Sequence, residues 1–238
     1  MNTIKVAATI LFSAVLVLSG CSDESAEKES QQVANQKIEK TEESVEAQPE
    51  AQKKEQAPVM SPLVKEGVDY SVIAEQDASE EPVVYEFFSY TCPHCYNLEP
   101  VMLDWKKNYK SDQVSFRQIP VFIPQVEHLT YGFYTAETLG VLEEVHANIF
   151  NEWHGKKNII RTKEQLVPIF QTAGVSKSEF EETYASAEVE AKVAEAKALM
   201  NQFQVTSFPL LIVNEKYKVM SYQNLQELLG HFAINNTK

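Results

Sequence analysis

Val83-Val84-Tyr85-Glu86-Phe87-Phe88-Ser89-Tyr90-Thr91-Cys92-Pro93-His94-Cys95 decides how this chain is read. Val83 to Ser89 is almost continuously apolar, which suits a strand buried on both faces. Leu98, Met102 and Trp105 then recur at helical spacing until Lys110-Ser111-Asp112 breaks the pattern. The two cysteines therefore fall where a buried strand turns into a helix. Cys92 is expected at the helix N-terminus, where unpaired N–H groups and the helix dipole favour a thiolate. Pro93 suits the first turn, because its missing N–H costs nothing there. Cys95, one turn inward, is expected to be shielded and to act as the resolving thiol. His94 offers a positive charge or a hydrogen-bond donor beside the Cys92 sulfur. Stabilising that thiolate stabilises the reduced pair and makes the disulfide a stronger oxidant.

Around this centre the chain divides by composition. Lys5 and the apolar run Val6 to Leu18 read as a secretory leader, too short for the roughly 20 residues that span a bilayer. Leu18-Ser19-Gly20-Cys21 resembles the lipobox of bacterial lipoproteins, which implies cleavage before Cys21 and its acylation. Ser22 after the cysteine resembles the sorting pattern of outer-membrane lipoproteins. Residues 1–21 are thus expected to be a signal peptide ending at the lipid-attachment cysteine, in an oxidising, periplasmic setting. Of the three cysteines, only Cys92 and Cys95 then remain as a redox pair.

Residues 22–57 are rich in Glu, Gln, Lys, Ser and Ala, without aromatics or Gly. Such a segment cannot offset its ordering entropy and reads as a polar tether, with transient helix near Glu39 to Glu43. Extended at roughly 3.3 Å per residue, it would reach many tens of ångströms. The formal net charge of −13 argues against nucleic acid as a partner.

Residues 58–238 read as one domain. Strands are expected near Asp69–Ile73, Val83–Ser89 and Val114–Pro120, followed by helices between about 126 and 203. Thr162/Gln165 and Ser176/Glu179 match capping boxes. Leu210–Val213 and Lys216–Met220 flank Asn214-Glu215 as a hairpin, and a closing helix spans about Asn224 to Phe232. The order β-β-α-β, helices, β-β-α resembles a thioredoxin-type α/β frame with an inserted helical subdomain.

The segment Glu86 to Tyr96, with Phe208-Pro209 before the last hairpin, resembles the DsbA-type thiol oxidases. That resemblance implies a disulfide oxidoreductase acting on reduced or unfolded secreted proteins, with no cofactor beyond its own Cys92–Cys95 disulfide. A quinone-linked membrane reoxidant similar to DsbB is implied as a partner, and the chain is expected to act as a monomer. It further implies that Glu86 is a buried carboxylate that exchanges a proton with Cys95. Glu99 matches a second family carboxylate, and Arg117 stands where such enzymes tend to have Lys. An ordinary surface ion pair is the competing reading of Glu99 and Arg117. Pro209 matches a cis-proline beside the disulfide; the competing reading is a trans proline that ends the preceding helix. Phe208 before it is bulkier than the small or β-branched residue common there, and could narrow the groove. Pro100 departs from the DsbA pattern, resembles thioredoxins, and is expected to kink the helix.

Three other functions compete. Cys92, His94 and Cys95 could ligate a metal, but a structural zinc site needs four ligands and no second cysteine pair exists, so no metal is expected. His128, His146, His154 and His231 are dispersed and read as surface or half-buried side chains. A reductase or isomerase would use the same motif at another potential, although an isomerase usually adds a dimerisation domain. A tethered, non-enzymatic binding module would leave Glu86 and the cysteines without a task.

Overall fold

In a computed structural model of the chain, residues 64–235 are described. The expectations for the leader with Cys21, for Ser22 and for the tether at 22–57 lie outside the described residues. The organising element is β2 (Val83–Phe88), buried at every position. It pairs in parallel with β3 (Ser115–Pro120), with Glu86 opposite Gln118. On its other side it pairs antiparallel with β4 (Leu210–Val213), with Glu86 opposite Leu211. β5 (Tyr217–Val219) and β1 (Tyr70–Val72) complete a sheet of order β1-β5-β4-β2-β3. A strand this central can carry side chains on both faces only if both are covered, which is why its sequence lacks a polar stripe.

Strand alternation sorts the core. Val84, Leu211 and Val213 pack against Leu98, Met102 and Trp105 of α1 (Pro93–Asn108) and Leu225, Leu228 and Phe232 of α7 (Leu225–Asn235). Tyr85, Phe87, Leu210 and Ile212 face the helical insertion, with Phe133, Ile149, Phe150, Val193 and Phe203. By the same parity Glu86 lies on the Val84 face, towards α1.

The insertion comprises α2 (Glu127–Thr138), α3 (Leu142–Phe150), α4 (Val167–Thr172), α5 (Lys177–Tyr184) and α6 (Ala187–Gln202). Gly140, at φ +70°, makes the turn between α2 and α3. Ser176 and Glu179 form the expected capping box at α5, with bonds of 3.2 and 2.9 Å. The Thr162/Gln165 box is also formed, but it caps a separate 3-10 turn at Lys163–Gln165 rather than α4 itself. α3 ends at Phe150 and continues as a single π turn, Asn151–Gly155.

The β4–β5 hairpin turns through Asn214 and Glu215, both at positive φ, the geometry of the primed turns that match strand twist. Asn214 is fully buried. Its Oδ1 accepts from the Val83 N–H at 2.9 Å, and its Nδ2 donates to the Phe232 carbonyl at 2.8 Å. One side chain thus ties the hairpin to β2 and to α7. Among the described residues no helix is long and apolar enough to cross a membrane.

Candidate active site

Cys92 is the N-cap residue of α1, in extended conformation, and Pro93 opens the first turn. Its amide donates to the Ser89 carbonyl at 3.1 Å, and its own carbonyl accepts from Tyr96 N–H at 3.1 Å. Both cysteines are thiols in this structure. The Cys92 thiol donates to the Phe208 carbonyl at 3.6 Å, across a cis Phe208–Pro209 bond. Tyr222 Oη donates to the next carbonyl, that of Pro209, at 2.8 Å. Beside them lies an open groove of about 390 Å³ walled by His94, Leu98, Val101, Phe208 and Tyr222. His94 is exposed and Phe208 half-buried, so the Phe208 ring forms part of the groove wall.

Cys95 sits inward at 1% exposure, where its sulfur accepts from the Ser89 N–H at 3.5 Å. Burial drives its thiol well above the usual range; the Ser89 amide opposes this, while Cys92 and Glu86 add to the rise. Cys95 therefore needs a nearby base to lose its proton.

Glu86 has the properties of that base. It is 1% exposed, and burial followed by the charge of Glu99 pushes its carboxyl up to about 8, against Gln118 and Lys106. Gln118 Nε2 donates to Glu86 Oε2 at 3.1 Å. Glu99 is also buried. Burial would raise its carboxyl, but His146, whose Nε2 lies 3.2 Å from Glu99 Oε2, and then Lys106 and Gln118 outweigh burial and lower it. Two neighbouring carboxyls are thus driven in opposite directions, the arrangement that divides acid from base roles in a site.

Residues 83–233 match the DSBA-like thioredoxin domain family. The chain belongs to that family. It is 32% identical over 161 residues to the thiol:disulfide interchange protein DsbA of Burkholderia cepacia, covering 64% of this chain and 74% of that one. Against DsbA of Pseudomonas syringae pv. tomato the identity is 36% over 137 residues, 57% of this chain and 63% of the relative. Among solved structures, Pseudomonas aeruginosa DsbA is 30% identical with a TM-score of 0.59, covering 65% of this chain and 82% of that one. The α/β thioredoxin fold with a helical insertion, expected from the order of elements, is the one found.

Within this DSBA-like domain, the structure brings Cys92, Cys95, Glu86, Pro93, Phe208 and Pro209 together. Arg117 follows its competing reading, an exposed ion pair, and not that of a counter-charge in the redox site. Its Nη2 pairs with Glu195 Oε1 at 2.8 Å on the exposed side of β3, and its guanidinium lies 5.6 Å from the centre of the Tyr85 ring. It neither faces Glu86 nor pairs with Glu99, because successive strand residues alternate faces and it is Gln118 that stands opposite Glu86. For Glu99 the competing surface-pair reading is overturned: its partner is the buried His146. Pro100 lies inside α1, as thioredoxin-like chains would have it.

The expectation of dispersed surface or half-buried histidines fails at two positions, while His154 is half-buried as expected. His128 and His146 are buried, His128 with Nε2 3.1 Å from the Ile160 carbonyl. His146 Nδ1 lies 2.8 Å from Tyr90 Oη. His154 Nε2 meets the Tyr90 carbonyl at 2.9 Å, while its ring stacks on Tyr96 at 4.9 Å. The sequence does not mark Gln118, His146, His154 or Tyr222 as site residues. Strand parity counted from Glu86 across a parallel register would have found Gln118; the others depend on how the insertion and the last loop pack. Among the described residues no cluster of three or more His, Cys, Asp or Glu is gathered as metal ligands would be.

Proposed function

We propose that this chain is a DsbA-like protein disulfide oxidoreductase that donates the Cys92–Cys95 disulfide to reduced, folding secreted proteins. One observation carries the reading: Cys92 at a helix N-terminus beside an open groove, with Cys95 sealed behind it next to the raised carboxyl of Glu86. A substrate thiolate attacks the Cys92 sulfur of the oxidised protein. The Cys92–Cys95 bond breaks, a substrate–Cys92 disulfide forms, and Cys95 leaves as a thiolate that takes the Glu86 proton. A second substrate thiolate then attacks the substrate sulfur of the mixed disulfide. Cys92 leaves as a thiolate, favoured by the helix N-terminus. The substrate gains a disulfide, and its two electrons reside in the Cys92/Cys95 dithiol. Phe208 and Pro209 border the substrate path, and exposed His94 lies within the motif at the mouth of the groove.

Reoxidation falls to a quinone-linked membrane protein similar to DsbB. We place the protein in the periplasm as a monomer, with 1–21 as signal peptide, Cys21 as lipid attachment, 22–57 as tether and 58–238 as the working domain. Ser22 favours the outer membrane. Incorporation of labelled palmitate, lost in Cys21→Ser, tests the anchor.

The deciding experiment for the chemistry is the equilibrium potential of the pair against glutathione. An oxidase requires a potential well above thioredoxin's roughly −270 mV; a value near that figure refutes the oxidase reading in favour of a reductase. His94→Leu is expected to make the pair more reducing by about 30 mV for each tenfold change in the equilibrium constant. An unchanged potential removes His94 from the mechanism.

A further inference from the structure

The helical insertion reaches the buried side of the redox centre through one side chain. His146, on α3, lies with Nε2 3.2 Å from Glu99 Oε2 and Nδ1 2.8 Å from Tyr90 Oη. A carboxylate accepts, so Nε2 carries a hydrogen towards Glu99, while Nδ1 meets the Tyr90 hydroxyl. Tyr90 is held as a neutral donor, since burial and then the Glu99 charge push its hydroxyl well above the usual range. The His146 ring is thus held from one side by Tyr90 and turned towards Glu99 on the other. Gln118 joins the two carboxyls: its Nε2 donates to Glu86 Oε2 at 3.1 Å, and its side chain also hydrogen-bonds Glu99. Gln118, Glu99 and His146 also form one side of an open cavity of about 620 Å³, walled by Leu103, Lys106, Leu142 and Glu143. This cavity lies away from the Cys92 groove and shares no lining residue with it.

We propose that His146 is a positioning residue for the thiol chemistry: by holding Glu99 as the anion of the buried carboxyl pair, it makes Glu86 the carboxyl that carries the proton exchanged with Cys95. This inference rests on the disulfide-exchange reading above. Two carboxyls that share one buried region and interact do not both ionise freely, and the one with the better donor keeps the charge. Here the donor is supplied by the insertion. Other charged and titratable groups face the pair from each packed element. Lys106 on α1 favours the charged form of both carboxyls. Glu143 on α3 and Lys107 on α1 border the cavity. Cys95 from α1 and Tyr222 from the loop before α7 feel the Glu86 charge. Among these, His146 is the group that hydrogen-bonds Glu99 and not Glu86, so it discriminates between them.

The test is the pH profile of ring closure. The full chain is reduced and mixed with saturating oxidised glutathione, so that attack of Cys95 on the Cys92–glutathione disulfide limits the rate. The midpoint reports the carboxyl that accepts the Cys95 proton. Loss of His146 removes the largest influence that keeps Glu99 charged, so Glu99 holds the proton more readily and repels charge on Glu86 less. His146→Leu is therefore expected to lower the midpoint by about one pH unit. His146→Gln keeps a donor to Glu99 and should return most of the shift. A purely structural His146 would lower the melting temperature in both variants and leave the midpoint in place; that result overturns the proposal. Should His146→Leu fail to fold, Glu99→Gln carries the same expectation of a lowered midpoint, and an unmoved midpoint there is equally fatal. A wild-type chain that fails to exchange with glutathione at all refutes the underlying function instead.

Discussion

Replacing Glu86 by glutamine separates what the fold wants from what the chemistry needs. The Glu86 carboxyl is raised from 4.5 to about 8, first by burial and then by Glu99. Its folded-state pKa lies above its unfolded one, so the folded chain binds the extra proton. Stability is greatest on the acid side and declines as pH rises from about 4.5 through about 8. A one-proton difference between the folded and unfolded chains costs about 1.4 kcal/mol for each pH unit crossed, so the loss accumulated by pH 7 is about 3 kcal/mol. Glu99 is shifted downward, so its contribution is present above the unfolded value and is lost only at more acid pH. Cys95 is shifted upward, so its contribution changes only above about pH 8.5, where an unfolded cysteine begins to ionise. The window between pH 5 and 8 therefore belongs chiefly to Glu86.

Glu86→Gln removes the titration, keeps the shape, and retains an oxygen to accept from Gln118. Urea unfolding of the reduced chain at pH 5, 6, 7 and 8 should show wild-type stability falling across the series. The variant should be flatter and more stable by about 3 kcal/mol at pH 7, which for a domain of this size is roughly 6–12 °C in melting temperature. The same variant should slow disulfide exchange by about 10²-fold or more, the usual scale of a lost general acid or base. A wild-type curve that is level between pH 5 and 8, or a variant with the same slope as wild type, would refute the placement of the proton on Glu86.

Other substitutions probe the rest of the site and frame. Cys95→Ser removes the resolving thiol, so with a disulfide-bonded substrate the Cys92 thiolate should attack one sulfur, expel the other as a thiolate, and accumulate as a mixed disulfide on a non-reducing gel; no adduct would rule out Cys92 as the sulfur that exchanges with substrate. Arg117→Ala should change stability by less than about 1 kcal/mol, since its pairing with Glu195 is exposed, and should leave the potential against glutathione unmoved; a shift of about 30 mV or more, a tenfold change in the equilibrium constant, would restore Arg117 to the redox site. Asn214→Leu strands the Val83 amide and the Phe232 carbonyl and should cost about 2–4 kcal/mol in urea unfolding; a loss below about 1 kcal/mol would show that the hairpin is tied down by other contacts.

The parts of the fold that were legible from sequence are those that local pattern fixes. An unbroken apolar run, a motif with proline in the first helical turn, and Asn214-Glu215 between apolar segments each specify their own conformation whatever surrounds them. The site was legible as far as those elements carry it: Cys92, Cys95, Pro93 and Glu86 are adjacent in sequence or one strand apart. For Arg117 the sequence leaves the counter-charge and surface-pair readings open, because position within a family pattern says nothing of which face a strand residue takes. The register Val83 opposite Ser115 decides that, and a one-residue slip would have exchanged Arg117 and Gln118. His146 was out of reach for a different reason. A single histidine on an amphipathic helix carries no local signal, and its partners Tyr90 and Glu99 become neighbours only when α3 packs over the end of β2.

That packing gives the insertion a second task besides covering the sheet. Tyr90, just before the Cys-Pro-His-Cys motif, is engaged at its hydroxyl by His146 and at its carbonyl by His154. His154 in turn stacks on Tyr96, just after the motif. Both histidines come from the helix that breaks into a π turn at Asn151–Gly155, and single π turns recur where a helix must aim side chains at a site. An ordinary α-helical continuation would rotate His154 by a different angle relative to His146 and could not serve both ends of one tyrosine. The work of the motif is therefore divided. The thioredoxin-like frame supplies the helix N-terminus at which Cys92 sits, while the insertion supplies the polar contacts to Tyr90 and Glu99. A thioredoxin-like frame stripped of residues 126–203 would keep its two cysteines and lose the groups that distinguish Glu86 from Glu99.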